Sequence, residues 1–141
     1  MTYLFVYGIF KRGDPFGGGT GSHLLTQDCE FIGPATAPGF LILDHAGAAA
    51  MVPGSNYQAN AKDYVAKGEV LSVPDEHLER VLETLDRVES NGQSYIRAKI
   101  EVVLDDGRRV EAYAYLYIVY YDKNEFIADG SWNRSFSKGV F

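Results

Sequence analysis

The apolar positions of this chain fall into short blocks, and all but one of the blocks have the rhythm of strands. Thr2 to Val6 is an uncharged run of aromatic and β-branched residues, the make-up of a buried strand. Cys29 to Thr36 and Phe40 to Leu43 predict two more strands, with Gly33-Pro34 and Pro38-Gly39 as turns. Ala46 to Met51 is small and apolar, and fits either a short strand or a tight segment packed under a site. Tyr64 to Val73 alternates loosely and reads as another strand. Tyr95 to Leu104 and Arg109 to Tyr121 predict a long hairpin closed by Asp106-Gly107. In its second arm Val110, Ala112, Ala114, Leu116 and Ile118 share one face, and Glu111, Tyr113, Tyr115 and Tyr117 share the other. The tyrosine row either lines a cavity with hydroxyl donors or forms a half-exposed sheet face.

One block has the helical period instead. Leu78, Val81, Leu82, Leu85 and Val88 recur on one face, while Glu76, Glu79, Arg80, Glu83 and Arg87 cover the other. Ser72 to Asp75 offers a capping-box pattern, with Pro74 suited to a first turn, and Ser90-Asn91-Gly92 ends the helix. The remaining stretches are polar or glycine-rich. Gly13 to Ser22 holds five glycines and predicts a loop serving as lid or rim. His23 to Gln27 suits a single helical turn, Gly54 to Asp63 a surface loop, and Asp122 to Phe141 a polar tail anchored by Trp132. No repeat or linker interrupts the chain. The expectation is one domain over residues 1–141, of the α+β class: a small mixed β-barrel with one main helix packed on it.

Composition narrows the function. The 141 residues, 46% of them hydrophobic, suffice for one core of ordinary size. A net charge of −6 argues against nucleic acid as a partner, since phosphate binding rests on Lys and Arg. No apolar run is long enough to span a membrane, and Met1 to Val6 is too short for a signal peptide. The single cysteine, Cys29, forms no internal disulfide and fits a reducing cytoplasm. It sits beside Phe31-Ile32 and reads as a small core residue rather than a nucleophile. His23, His45 and His77 lack metal-ligand spacing, and neither a Gly-x-Ser-x-Gly elbow nor a Walker loop is present.

Two stretches carry chemistry. In the first, Val6-Tyr7-Gly8-Ile9-Phe10-Lys11-Arg12-Gly13, a strand ends on a glycine, which lets backbone come close to something else. Consecutive N–H groups of such a turn can cradle a carboxylate or an oxyanion. Lys11 and Arg12 are either solvated or meet a substrate carboxylate. The second stretch is Leu85-Asp86-Arg87-Val88-Glu89, followed by Tyr95-Ile96-Arg97. Glu89 stands at a helix end whose partial charge disfavours a carboxylate. It is therefore either held by another group or kept partly protonated.

Together the two stretches resemble the γ-glutamylcyclotransferase-like family (AIG2-like, BtrG-like). That family opens on a strand and Tyr-Gly-Thr/Ser-Leu, and later carries Leu-Asp-x-x-Glu-Gly and Tyr-x-Arg. Val52-Pro53-Gly54, Gly68-Glu69-Val70 and Gly130-Ser131-Trp132 resemble further family pieces, in the family's order. The chain departs from the pattern at Ile9, in place of Thr or Ser, and at Phe10, in place of Leu. The resemblance implies an intramolecular reaction. The α-amine of a γ-glutamyl amide attacks the γ-carbonyl, releasing 5-oxoproline and a free amine. Such a reaction needs no metal or other cofactor. It needs a proton shuttle and an oxyanion cradle.

By resemblance Glu89 is the catalytic shuttle, with a pKa raised above that of a free Glu. Tyr7, Gly8, Ile9 and Phe10 form the cradle, and Tyr95, Arg97 and Tyr115 complete the substrate site. Asp86 is the rival carboxylate, taken as a capping or packing partner. Arg97 either orients Glu89 or the substrate, or makes an ordinary cross-strand ion pair. The partner implied is a small-molecule γ-glutamyl amide. The alternative is a non-catalytic member of the same fold that binds a small ligand or a protein, a reading fed by the departures at Ile9 and Phe10. Nothing in the pattern sets an oligomeric state.

Overall fold

A computed structural model describes residues 1–8, 28–45, 48–54, 64–88, 92–119 and 130. In chain order the elements are β1 (Thr2–Val6), β2 (Glu30–Pro38), β3 (Phe40–His45), β4 (Ala48–Pro53), β5 (Val65–Val73), α1 (Asp75–Val88), β6 (Tyr95–Leu104) and β7 (Arg109–Tyr117). Five strands close into a barrel in the order β1-β5-β2-β6-β7, and β3 and β4 form a separate hairpin. The barrel is mixed. β1 runs antiparallel to β5 and parallel to β7, where Leu4 meets Tyr113. The expected α+β barrel with one packed helix is therefore the fold observed.

Alternation explains which residues go where. Phe5, Val70, Val102, Ala112 and Ala114 point into the barrel and are buried. Their neighbours Leu4, Val6, Leu71 and Val73 point outward and form a second core with Val81 and Leu85 of α1. Each strand thus serves two layers. The β3–β4 hairpin plugs the first core with Ile42 and Met51, which pair across its two strands. Its other face, Leu41, Leu43, Ala50 and Val52, is covered by Tyr64 and Tyr117. Burial on both faces is why Leu41–Leu43 and Ala50–Val52 are apolar at successive positions rather than alternating.

Three local expectations change. Gly33-Pro34 is not a turn: β2 runs through it, and the register against β5 shifts between Phe31 and Gly33. A bulge accommodates both the proline, which has no N–H, and the glycine inside a strand. Ser72 does not cap the helix. It is buried in β5 opposite Tyr3, and α1 begins at Asp75 with Asp75 and Glu76 favouring the positive end of the helix. The second hairpin arm ends at Tyr117 rather than Tyr121. Pro38-Gly39 is a turn as expected, with Gly39 at φ 84°. The glycine-rich loop, the His23–Gln27 turn, Gly13 and Trp132 lie outside the described residues, as do residues 55–63.

Two family-like glycines are explained by packing. A Cβ on Gly68 would strike the Val6 carbonyl oxygen and the Phe5 ring, so β1 and β5 close tightly only because Gly68 has none. Gly130, at φ 77°, lies against Val65, and its carbonyl accepts the Lys67 N–H at 2.7 Å. β1 pairs with β5 only from Glu69 onward, so Gly130 satisfies a donor that β1 does not reach.

Candidate active site

The site is built where β1 ends. Phe5 and Tyr7 both join the barrel core. Tyr7 is buried, and its hydroxyl donates to the backbone carbonyl of Tyr115 at 2.5 Å. The residue after it is Gly8, where a Cβ would stand 2.9 Å from the Cβ of Ala49. The close approach that a glycine permits is here made by β4. Ala49 is also gripped from the other side, since the Tyr95 hydroxyl donates to its carbonyl at 2.8 Å. The Tyr95 ring in turn meets the Tyr117 ring edge-on, at 5.3 Å between centroids.

β6 and β7 bring the rest into line. In their ladder Tyr95 lies opposite Tyr117 and Arg97 opposite Tyr115. These side chains share the outer sheet face, which α1 partly covers: Tyr115, Tyr95 and Tyr113 all belong to or pack against the core beneath the helix. The tyrosine row is thus a sheet face of mixed exposure. Tyr115 is buried, while Tyr113 lies under the cations of Arg97 and Lys99, each 5.3 Å from its ring centre.

Asp86, in the last turn of α1, ties this face to the helix. One carboxylate oxygen accepts the Tyr115 hydroxyl at 2.5 Å, and the other accepts Arg97 Nη1 at 2.7 Å. Arg97 therefore forms an ion pair with the helix. Charge-assisted bonds of this kind are about twice as strong as neutral ones. Burial, followed by the bond to Asp86 and its negative charge, pushes the Tyr115 hydroxyl far above the usual tyrosine range, against a smaller opposite pull from Arg97. Tyr115 therefore keeps its proton and donates a hydrogen bond to Asp86. Cys29, half-buried beside Asp28, is pushed up to about 11 by burial first and the aspartate second, so it is a neutral thiol packed against the seam.

Of the expected site residues, Tyr7, Gly8, Tyr95, Arg97 and Tyr115 form one connected group, joined through Ala49 and Asp86. Glu89, Ile9 and Phe10 lie outside the described residues. Packing of the Ala46–Met51 segment under the site was one of the two expectations for it, whereas the specific contact of Ala49 with Gly8 and the double engagement of Asp86 were not foreseen. The run of small residues from Ala46 to Ala50 and an acid in the last helical turn were their only traces in the sequence. Among the described residues no group of three His, Cys, Asp or Glu side chains could hold a metal ion. No helix there is long and apolar enough to cross a membrane. A shallow cavity of about 130 Å³ lies at the start of β1, between Thr2, Lys99, Glu111 and Tyr113, and shares no residue with the site.

Known proteins with this fold share the arrangement of elements. An AIG2-like protein from Mus musculus superposes with a TM-score of 0.68 at 22% identity, covering 94% of this chain and 88% of that one. The solution structure of an Arabidopsis thaliana protein gives 0.62 at 26% identity, over 97% and 80% of the two chains. A yeast gamma-glutamyl cyclotransferase specific to glutathione gives 0.62 at 18% identity, over 90% and 72%. No curated protein matches the sequence. The model of one protein family, "Gamma-glutamyl cyclotransferase, AIG2-like", matches residues 4–134, from the first strand to beyond Trp132. On that match, and with the barrel to go with it, the chain belongs to the AIG2-like gamma-glutamyl cyclotransferase family.

Proposed function

We propose that this protein is a γ-glutamyl amide cyclotransferase. The α-amine of the substrate forms a C–N bond to its own γ-carbonyl carbon, and the bond from that carbon to the leaving amine breaks. The products are 5-oxoproline and a free amine, with no change of oxidation state. Glu89 takes a proton from the α-ammonium and returns one to the departing nitrogen. The turn from Tyr7 to Phe10 receives the oxyanion or the α-carboxylate on its N–H groups. Holding the folded-back conformer supplies much of the rate, since well-oriented intramolecular reactions gain roughly 7–11 kcal/mol.

The observation that carries this reading is the bonded chain from Tyr7 through Tyr115 to Asp86. It links the end of β1 to the last turn of α1, the two places from which the cradle and Glu89 issue. Cyclisation requires groups from both at one reacting centre. The test is a screen of γ-glutamyl amides for 5-oxoproline release, with γ-glutamyl amino acids, γ-glutamyl-lysine, γ-glutamyl polyamines and glutathione as substrates. Release from at least one, lost on Glu89→Gln, is the expected result. A chain that binds these compounds without turnover is the non-catalytic member that Ile9 and Phe10 would suit.

A further inference from the structure

The apolar anchoring of α1 stops before the helix does. Val81 and Leu85 are buried against the barrel, but Val88, the next residue on that face, is 44% exposed. Beyond Leu85 the burial of apolar surface no longer fixes the direction in which the chain leaves the helix. Asp86 takes over at this point. Both of its oxygens are engaged, by Tyr115 and by Arg97, and these two residues lie opposite each other on β7 and β6. Tyr115 is itself fixed from below, because its carbonyl holds the Tyr7 hydroxyl.

The ion pair is also an odd choice for stability alone. Asp86 stands in a last helical turn, where the macrodipole disfavours a carboxylate. Its side chain and that of Arg97 are both more than two-thirds shielded from solvent. A packed apolar pair in such a place is often as stable as an ion pair, but it cannot dictate a direction. By contrast, the pair of the Met1 amino group with Asp75 at the start of α1 is largely exposed and specifies little.

We propose that Asp86 is a positioning residue for the reaction: clamped by Tyr115 and Arg97, it sets the exit of α1, and with it Glu89, relative to the cradle at Tyr7 and Gly8. This rests on the cyclotransferase reading above. It adds a role in the reaction to the expected one of Asp86 as a capping or packing partner.

The test measures 5-oxoproline release by Tyr115→Phe, Asp86→Asn and the double variant Asp86→Asn with Glu89→Gln, each well below its melting temperature. Each single variant should lower kcat by about 10–100-fold, and in Asp86→Asn, which removes no expected substrate-binding group, KM should stay nearly constant, the signature of misplaced rather than missing binding groups. In the double variant Asp86→Asn should add nothing to the loss from Glu89→Gln, because a group that acts through Glu89 has no effect once Glu89 cannot shuttle. Unchanged kcat with a lowered melting temperature, or a fully additive loss, would overturn the proposal. Should a variant not fold, Arg97→Lys replaces it, keeping the charge while removing the planar fork. Should the wild type release no 5-oxoproline, the proposed function falls, and amide exchange judges the clamp instead. In Tyr115→Phe the amides of residues 85–88 should exchange about tenfold faster than in the wild type, with β5 unaffected. Equal exchange would mean that no clamp holds the helix end.

Discussion

Strand β7 presents Ala112 and Ala114 to the barrel interior and Tyr113 and Tyr115 to the outside, where α1 lies, and different physics holds the two faces. Inside, the contacts are mostly between apolar groups, and the buried hydroxyl of Tyr7 has an acceptor in the Tyr115 carbonyl. What matters there is volume. Outside, an apolar seam of Leu4, Val6, Leu71, Val81 and Leu85 gives way within one helical turn to the bonds among Asp86, Tyr115 and Arg97. What matters there is direction. Burial is non-directional and roughly proportional to area, whereas a hydrogen bond weakens steeply with angle. The interior should therefore tolerate reshaped side chains at a cost in stability alone, and the seam should convert small changes into lost activity.

The largest effect expected is at the helix end. Glu89→Gln should leave the melting temperature close to that of the wild type and lower turnover by about 10²–10⁴-fold, or roughly 3–5 kcal/mol of barrier. Steady-state kinetics with a thermal melt as control measure both. Wild-type turnover in this variant would remove Glu89 from the mechanism.

Ile42→Ala addresses the opposite side of the comparison. Ile42 is fully buried in the barrel core, and its truncation should cost about 2–5 kcal/mol by urea unfolding. Molecules that remain folded should keep their kcat. A drop in kcat without loss of stability would mean that the core also governs geometry at the site.

Tyr7→Phe lies on the boundary. The ring still fills the core, but the bond to the Tyr115 carbonyl is lost. Such a neutral bond contributes about 1 kcal/mol, equivalent to roughly 4 °C in Tm for a chain of this size. A shift well below this would show that the hydroxyl does not tie β1 to β7 in solution.

The smallest effect is one of pH. The Cys29 thiol is raised in the folded chain from its ordinary 9.0 to about 11. The folded state thus favours the protonated form, and the stability this brings is complete below pH 9.0 and lost as the pH rises through about 11. Unfolding free energy should fall more steeply over that window in the wild type than in Cys29→Ala. Because the thiol is half-exposed, the difference should be modest. Tyr115 adds a similar loss at still higher pH in both proteins, so the comparison isolates the cysteine. Parallel curves would mean that Cys29 titrates as freely in the folded chain as in the unfolded one.

The sequence alone determined the strands, the one helix and the order of the family-like pieces. It could do so because alternation and helical period are written in neighbouring residues: β1 was legible as Thr2–Val6, and the inward and outward faces of β7 as two sets of alternate side chains. The Gly8, Gly68 and Gly130 pieces could be named for their resemblance, but not explained. What each glycine avoids is an atom far along the chain: Ala49 for the first, the Val6 carbonyl for the second, Val65 for the third. The same limit hid the bulge at Gly33, where a turn composition was overruled by a strand continuing against β5, and the burial of Ser72, which matched a capping pattern but belonged to a sheet. It also left the role of Asp86 open. Its helical position was readable, but its partners come from two other strands, and the chain that reaches Tyr7 joins residues 108 apart. Local propensity acts over a few residues. The bonds that direct the helix end form only when closure of the barrel brings β6 and β7 beneath α1, and that was decided by the tertiary structure.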